Sequence, residues 1–274
     1  MNEEIVNIIK NALKEDMPMG DITTDNIIPE NHNSIGKFIA KEDGIIAGVA
    51  IANEVFNLAG GNVNISWVVK DGDFVKKGEI IATLNGNTRT LLHGERTALN
   101  IMQRMSGIAT FTNQCVKACV GKTRILDTRK TMPNLRILDK QAVVIGGGKN
   151  HRYCLSDMVL IKDNHIEAAG SIKEAVRRVQ EKVSCDIEVE VETIEQFLEA
   201  MNTKCSIIML DNMSDELMKK CVEINAGKKL LEASGNMTLE RIKTVSSLGV
   251  DYISLGALTH SVKALDISLK FKSI

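Results

Sequence analysis

Five basic side chains crowd one stretch of a chain that is otherwise close to neutral. Arg129, Lys130, His151, Arg152 and Lys162 fall within 34 residues, whereas the 274 residues together carry a formal net charge of −1. Converged at one mouth, they would trap a small molecule with several negative charges. Arginine grips a carboxylate or phosphate with a planar fork, and lysine acts as a compact point charge. Any one of them could equally pair with a surface carboxylate; the concentration of five is what points to a site. Acidic groups follow. Glu190 and Asp211 each end an apolar run, where carboxylates could bind ribose hydroxyls or hold Mg²⁺ against a pyrophosphate. In DIEVEVE (186–192) side chains alternate, so Glu188, Glu190 and Glu192 share one face. Inside a barrel these carboxylates would need cations as partners. Two further runs end in Ser234-Gly235-Asn236 and Gly256-Ala257 and lead into helical segments, whose N-terminal amides bind phosphate well. Gly146-Gly147-Gly148-Lys149 lacks the spacing of a phosphate loop and reads as a connector before His151.

The elements that must position these groups have two textures. From about residue 20 to 110, GKFIAKEDGIIAGV (36–49) reads as a strand pair around a turn at Asp43-Gly44. AIANEVFNLAG (50–60) reads as a helix ended by glycine, and 62–88 as short antiparallel strands broken by DG, KKG and NGN turns. Residues 91–120 read as a long helical region. From about residue 122 the chain becomes rhythmic. Apolar runs at 123–130, 157–165, 186–192, 206–212, 229–236 and 251–257 each end in polar residues and are followed by a helical segment, such as 171–183 or 238–249. Strand–helix alternation implies a parallel sheet with right-handed crossovers. Six units are too few for a complete eight-unit barrel, so an open βα barrel and a doubly wound sheet both fit. In either, functional groups sit at the C-terminal ends of the strands, where the cations and carboxylates fall.

Composition closes several alternatives. Aromatics make up 3% of the chain, too few for a module that stacks bases. The net charge offers nothing global to nucleic acid or to an anionic membrane. The start, MNEEIVNIIK, is acidic and amphipathic, unlike a secretion signal, and no run reaches the length of a membrane span. The six cysteines form no CxxC pair and lack the histidine spacing of a zinc site. They read as free thiols of a reducing, cytoplasmic setting. GDFVKKGEIIATLNG is similar to lipoyl-domain strands but lacks a lysine at a clear hairpin tip, which weighs against a carrier role.

At the level of motifs the sequence is specific. LDTRKTMPNLRILDKQAVVIGGGKNHRYCLSDMVLIKDNH (126–165) resembles the signature of nicotinate-nucleotide pyrophosphorylase (carboxylating), the quinolinate phosphoribosyltransferase family. EDMPMGDITT (15–24), HGERTALN (93–100), EVEVET (188–193), IMLDN (208–212), LEASGN (231–236) and SLGALTHSVKALDISL (254–269) extend the resemblance over nearly the whole chain. It implies an α/β class protein with an N-terminal α/β sandwich over residues 1–110 and a C-terminal open, six-stranded βα barrel over 111–274. The N-terminal helix could pack on the barrel. It also implies a homodimer in which Arg96 reaches the neighbouring subunit's site. Arg129, His151, Arg152 and Lys162 would engage the two pyridine carboxylates, with Lys130 beside them and Thr128 a further binding position. Glu190 and Asp211 would lie near the ribose and the metal, and Ser234, Gly235, Asn236, Gly256 and Ala257 around the 5-phosphate. Lys130, Lys162, Glu190 and Asp211 would carry the catalysis. The implied reaction joins quinolinate to phosphoribosyl pyrophosphate with Mg²⁺, and releases pyrophosphate and CO₂. Met132, Asn134, Gln141, Cys154 and Asn236 depart from the usual pattern. None removes a charge, so loop shape rather than the reaction is in question. A paralogue acting on another base, and a non-catalytic anion-binding regulator, are the competing expectations.

Overall fold

A computed structural model describes residues 1–273. In chain order the elements are α1 (Glu3–Asp16), α2 (Thr24–Ile27), β1 (Asn33–Ala40), β2 (Gly44–Ile45), α3 (Val49–Leu58), β3 (Val63–Trp67), β4 (Phe74–Val75), β5 (Ile80–Asn87) and α4 (Thr88–Ala118). They continue with β6 (Arg124–Leu126), α5 (Arg136–Ile145), β7 (Val159–Ile161), α6 (Asp163–Ala169), α7 (Ile172–Gln180), β8 (Ile187–Val191) and α8 (Ile194–Met201). The chain ends with β9 (Ile207–Asp211), α9 (Asp215–Asn225), β10 (Leu230–Ser234), α10 (Leu239–Ser247), β11 (Tyr252–Ser254), α11 (Ala257–His260) and β12 (Ile267–Ser273).

The chain forms two compact units. One contains Met1–Asn113, Thr131–Gly147 and the residues from Leu258 onward; the other contains Gln114–Lys130 and Gly148–Ala257. Neither unit is one continuous stretch of sequence. The reason lies in β12. Ile267, Leu269 and Phe271 alternate with polar residues, and the strand pairs antiparallel with β1, returning the C-terminus to the first unit.

The first unit is built on an antiparallel sheet of order β12-β1-β5-β3. β1 does not form the expected hairpin across Asp43-Gly44. It pairs with β5 and β12, while β2 pairs with β4 in a separate ribbon. Asn2 caps α1 through its side-chain oxygen, 2.8 Å from the Glu4 amide, and Glu3 and Glu4 complement the helix dipole. Ile5, Ile9 and Leu13 form its buried stripe, and α1 packs on α3. The scarce aromatic residues concentrate here. Phe38 stacks on Trp67 with ring centroids 6.0 Å apart and touches Phe56, and the Trp67 indole N–H donates to Asn53. Within this unit Arg104 on α4 forms a two-point pair with the fully buried Asp139 of α5, both contacts at 2.8 Å. Asp139 also accepts the Met132 amide, so this pair anchors the segment that follows Arg129-Lys130.

The second unit is a six-stranded parallel sheet of order β6-β11-β10-β9-β8-β7. From β7 to β11 each strand lies beside its predecessor, and β6, first in sequence, pairs with the last, β11. That circular order belongs to a barrel open between β6 and β7; a doubly wound sheet would instead reverse direction from a central strand. Val189, Val191, Ile208, Leu210, Ala233 and Ile253 are fully buried along the strands. Ser171, Thr193, Ser214 and Thr238 cap α7, α8, α9 and α10 by accepting a backbone amide of the first turn, which sets where each crossover helix begins.

Candidate functional site

The site forms in the second unit, at the C-terminal ends of its strands. After β6 the chain passes through the fully buried Asp127, whose Oδ1 accepts the His151 amide at 2.8 Å. Lys149 lies alongside Leu126 in a parallel bridge. The strip from Lys149 to Arg152 therefore extends the open edge beyond β6. Arg152 Nη1 then donates to the Met158 carbonyl at 3.0 Å, just ahead of β7 on the other side of the opening.

This strip brings Arg129 and Arg152 together. Burial lowers the pKa of Arg152, and the neighbouring charge of Arg129 lowers it further, while Glu188 opposes the shift. Arg129 Nε is buried with no hydrogen-bond acceptor among the described residues. A buried guanidinium N–H without an acceptor is costly, and a ligand carboxylate or phosphate would satisfy it. Lys130 is exposed next to it, and its amide is bonded to Thr128 Oγ1 at 3.1 Å. Lys162 follows β7, and its ammonium contacts Glu190 Oε2 at 2.7 Å. With the Lys162 side chain 44% exposed and Glu190 12% exposed, this pair orients the lysine at a wet rim more than it stabilises the fold.

His151 faces inward. Its Nδ1 accepts the Arg152 amide at 2.7 Å and its Nε2 lies 2.9 Å from Glu188 Oε2. Both ring nitrogens are engaged inward, and the side chain is 7% exposed. Arg129, Lys130, Arg152 and Lys162 are cations by residue type alone. Along β8 the three glutamates grade from core to solvent: Glu188 is buried, Glu190 half-buried and Glu192 exposed. Sharing one face does not give them one environment, because they lie at different depths.

Loops from two adjacent strands interlock across the site. Asp211 ends β9, and its Oδ2 accepts from the Asn212 amide group at 2.8 Å. Asn212 N donates to the Ser234 carbonyl, and Asn236 Nδ2 donates to Asn212 Oδ1 at 3.2 Å. Gly235 has φ +90°, and a Cβ there would collide with the Asn212 side chain. Asn236 and Asn134 have φ of 48° and 63°. Asparagine tolerates this left-handed region, which explains how these two departures from the family pattern keep the backbone turn. Gly256 precedes α11, and Ala257 begins it. Arg241 on α10 was not singled out from sequence. Its guanidinium donates to the carbonyls of Gly235, Asn236 and Met213 at 3.0, 3.3 and 2.7 Å, and so clamps the loops after β9 and β10.

A cavity of about 550 Å³ is lined by His151, Arg152, Tyr153, Met158 and Cys185, among others. It reaches Ser184 to Asp186, at the entry of β8, whereas Glu190 and Asp211 sit at or near the opposite strand ends. Arg96 belongs to the first unit, where it is exposed on α4.

An open parallel barrel whose strand ends gather guanidiniums, an ammonium, carboxylates and a glycine-bearing turn defines a protein that handles a small, multiply anionic ligand. Residues 21–106 match the N-terminal domain, and residues 108–270 the C-terminal domain, of quinolinate phosphoribosyl transferase. The chain is 47% identical to the mitochondrial quinolinate phosphoribosyltransferase [decarboxylating] 2b of Nicotiana tabacum, covering 97% of this chain and 82% of that protein. It is 44% identical to the probable nicotinate-nucleotide pyrophosphorylase [carboxylating] of Bacillus subtilis, covering 97% and 93%. The structure of the nicotinate-nucleotide pyrophosphorylase from Francisella tularensis superposes with a TM-score of 0.94 at 40% identity, covering 99% of this chain and 97% of that one. The chain belongs to the quinolinate phosphoribosyltransferase family.

Proposed function

We propose that this protein transfers the phosphoribosyl group of phosphoribosyl pyrophosphate to quinolinate with loss of CO₂, forming nicotinate mononucleotide for NAD biosynthesis. The observation that carries the reading is the paired guanidiniums of Arg129 and Arg152, with Arg129 Nε buried and lacking an acceptor. A planar dicarboxylate offers a carboxylate to each of two guanidinium forks, which a single phosphate does not. Lys162, steered by Glu190, stands at the adjacent strand end. The turn of Ser234, Gly235 and Asn236, held by Arg241, fits the 5-phosphate, together with the amides at Gly256 and Ala257.

Glu190 and Asp211 present hard oxygen donors that would hold Mg²⁺, largely through water and the diphosphate. Bound there, Mg²⁺ would neutralise the charge that builds on departing pyrophosphate. The chain's own groups do the rest. Arg129 and Arg152 hold the base so that its ring nitrogen faces the anomeric carbon. Glu190 and Asp211 favour the positive charge that grows on the ribose as the bond to pyrophosphate breaks and the bond to nitrogen forms. The new pyridinium accepts the electron pair left when the neighbouring carboxylate departs as CO₂, and a proton replaces it on the ring carbon. The same reading makes the enzyme a cytoplasmic homodimer, with Arg96 contributed to the neighbouring subunit's site.

Turnover of quinolinate and phosphoribosyl pyrophosphate with Mg²⁺, followed by CO₂ release, tests the proposal. Lys162→Ala should lower turnover by about two orders of magnitude or more while leaving the melting temperature in place. Absence of quinolinate-dependent CO₂ release from the wild-type protein would refute the assignment, and unchanged turnover in the variant would remove Lys162 from it.

A further inference from the structure

Asn212 stands one residue past β9, yet it is still tied to β10. Its backbone N–H donates to the Ser234 carbonyl at 3.0 Å, continuing the ladder in which Asp211 lies opposite Ser234. Its φ of 52° falls in the left-handed region, which asparagine tolerates better than most residues. The turn sets its carboxamide between the loops that follow the two strands. Nδ2 donates to Asp211 Oδ2 at 2.8 Å, and Oδ1 accepts from Asn236 Nδ2 at 3.2 Å. Chemistry fixes both amide orientations. An ionised carboxylate only accepts, so the Asn212 nitrogen must face Asp211; its oxygen then faces Asn236, which must present its own nitrogen. Gly235 leaves room for this carboxamide, because a Cβ there would collide with it.

Asn212 and Asn236 are both exposed, so water competes for these bonds and they add little to the stability of the fold. Their effect is on geometry. The bond to Oδ2 fixes the rotation of the Asp211 carboxylate, and the bond from Asn236 fixes the turn that follows β10. Arg241 grips that turn through the Gly235 and Asn236 carbonyls. Asn212 differs because the same carboxamide also engages Asp211, the carboxylate assigned to the ribose.

We infer that Asn212 is a positioning residue for the ribose-phosphate ligand: its carboxamide joins Asp211 to the Ser234–Asn236 turn, so that the group near the ribose and the group around the 5-phosphate are set together. The inference rests on the proposed ribose-phosphate site.

A double-mutant cycle tests it. Glycine accepts the left-handed backbone, so Asn212→Gly and Asn236→Gly remove the carboxamides without straining the chain. Both positions are exposed, and the variants should fold. Titration calorimetry with ribose 5-phosphate, without metal, reads the affinity. N236G loses one neutral hydrogen bond and should bind about threefold more weakly; N212G also loses the bond to the carboxylate and should bind about tenfold more weakly. The double variant should stay near tenfold rather than reach the product of about thirtyfold, because the two side chains share one bond. In steady-state kinetics the KM for phosphoribosyl pyrophosphate should follow the same order, with the KM for quinolinate moved by less than about twofold. Unchanged ribose 5-phosphate binding in N212G, a double variant near thirtyfold, an equal rise in the KM for quinolinate, or a wild-type protein that binds no ribose 5-phosphate overturns the inference. If the wild-type protein binds ribose 5-phosphate but fails to turn over quinolinate, the proposed function fails, and the binding cycle, which needs no turnover, still decides the role of Asn212.

Discussion

Replacing Arg241 with alanine would remove a clamp that no charge count in the sequence brings forward. The guanidinium spans the loops after β9 and β10 through contacts to Gly235, Asn236 and Met213 at 3.0, 3.3 and 2.7 Å, with Asp215 a further 3.5 Å partner. Hydrogen bonds from a charged donor contribute about 1.5 kcal/mol or more each, but this side chain is 24% exposed and water would replace part of the loss. A net cost of about 2 kcal/mol for ordering the turn corresponds to roughly a 30-fold change in affinity. The Arg241→Ala protein should therefore fold and show roughly a 30-fold higher KM for phosphoribosyl pyrophosphate, with the KM for quinolinate moved less than about threefold. Arg241→Lys should recover only part of the loss, since a point charge cannot serve carbonyls on two loops. Initial-rate kinetics with each substrate varied separately measure both constants. An unchanged KM for phosphoribosyl pyrophosphate, or an equal rise for both substrates, would show that the clamp does not shape the phosphate turn.

Arg104→Ala leaves the fully buried Asp139 without its two-point partner and should cost about 3 kcal/mol, lowering the melting temperature in calorimetry by roughly 5–10 °C; a shift below about 2 °C would mean that the pair is replaceable. Thiol chemistry should be selective. Burial pushes Cys115 up to about 12 and Cys221 up to about 11, so near pH 8 both remain almost wholly protonated, and their alkylation should rise only as pH climbs toward those values. Cys185 is exposed, and mass spectrometry should find it modified first by iodoacetamide; early modification of Cys115 in folded protein would contradict the packing of α4. Arg96→Ala mixed with Lys162→Ala under subunit exchange should regain part of the activity that each lacks alone, and no regain in proven heterodimers would place Arg96 outside a shared site.

The depth of the strand-end groups explains what could be read in advance. Apolar runs that end in Asp127, Lys162, Glu190 and Asp211 announce strands leaving a core, and Ser171, Thr193, Ser214 and Thr238 announce where helices begin. Both are local effects of burial and of unsatisfied amides, so they are legible one segment at a time. The motif resemblance added the family and the division of the site into base and ribose-phosphate parts. The period-two pattern of Ile267, Leu269 and Phe271 likewise marks a strand, but nothing local says which sheet receives it.

Pairing and depth belong to the tertiary structure. β12 returns to β1 because two distant strand edges match, and a pattern of alternation carries no address for its partner. Arg241 became a clamp only when the loops after β9 and β10 came within reach of α10. Glu188 and Glu190 share a strand face, yet one is sealed in the interior while the other meets Lys162 at the rim. The five basic residues with which the sequence drew attention to itself resolve the same way. Arg129, Lys130, Arg152 and Lys162 remain cations at the strand ends, as residue type alone dictates. His151 turns inward instead, one ring nitrogen on the Arg152 amide and the other facing the buried Glu188 and Glu232 carboxyls, partners that meet only in the folded chain.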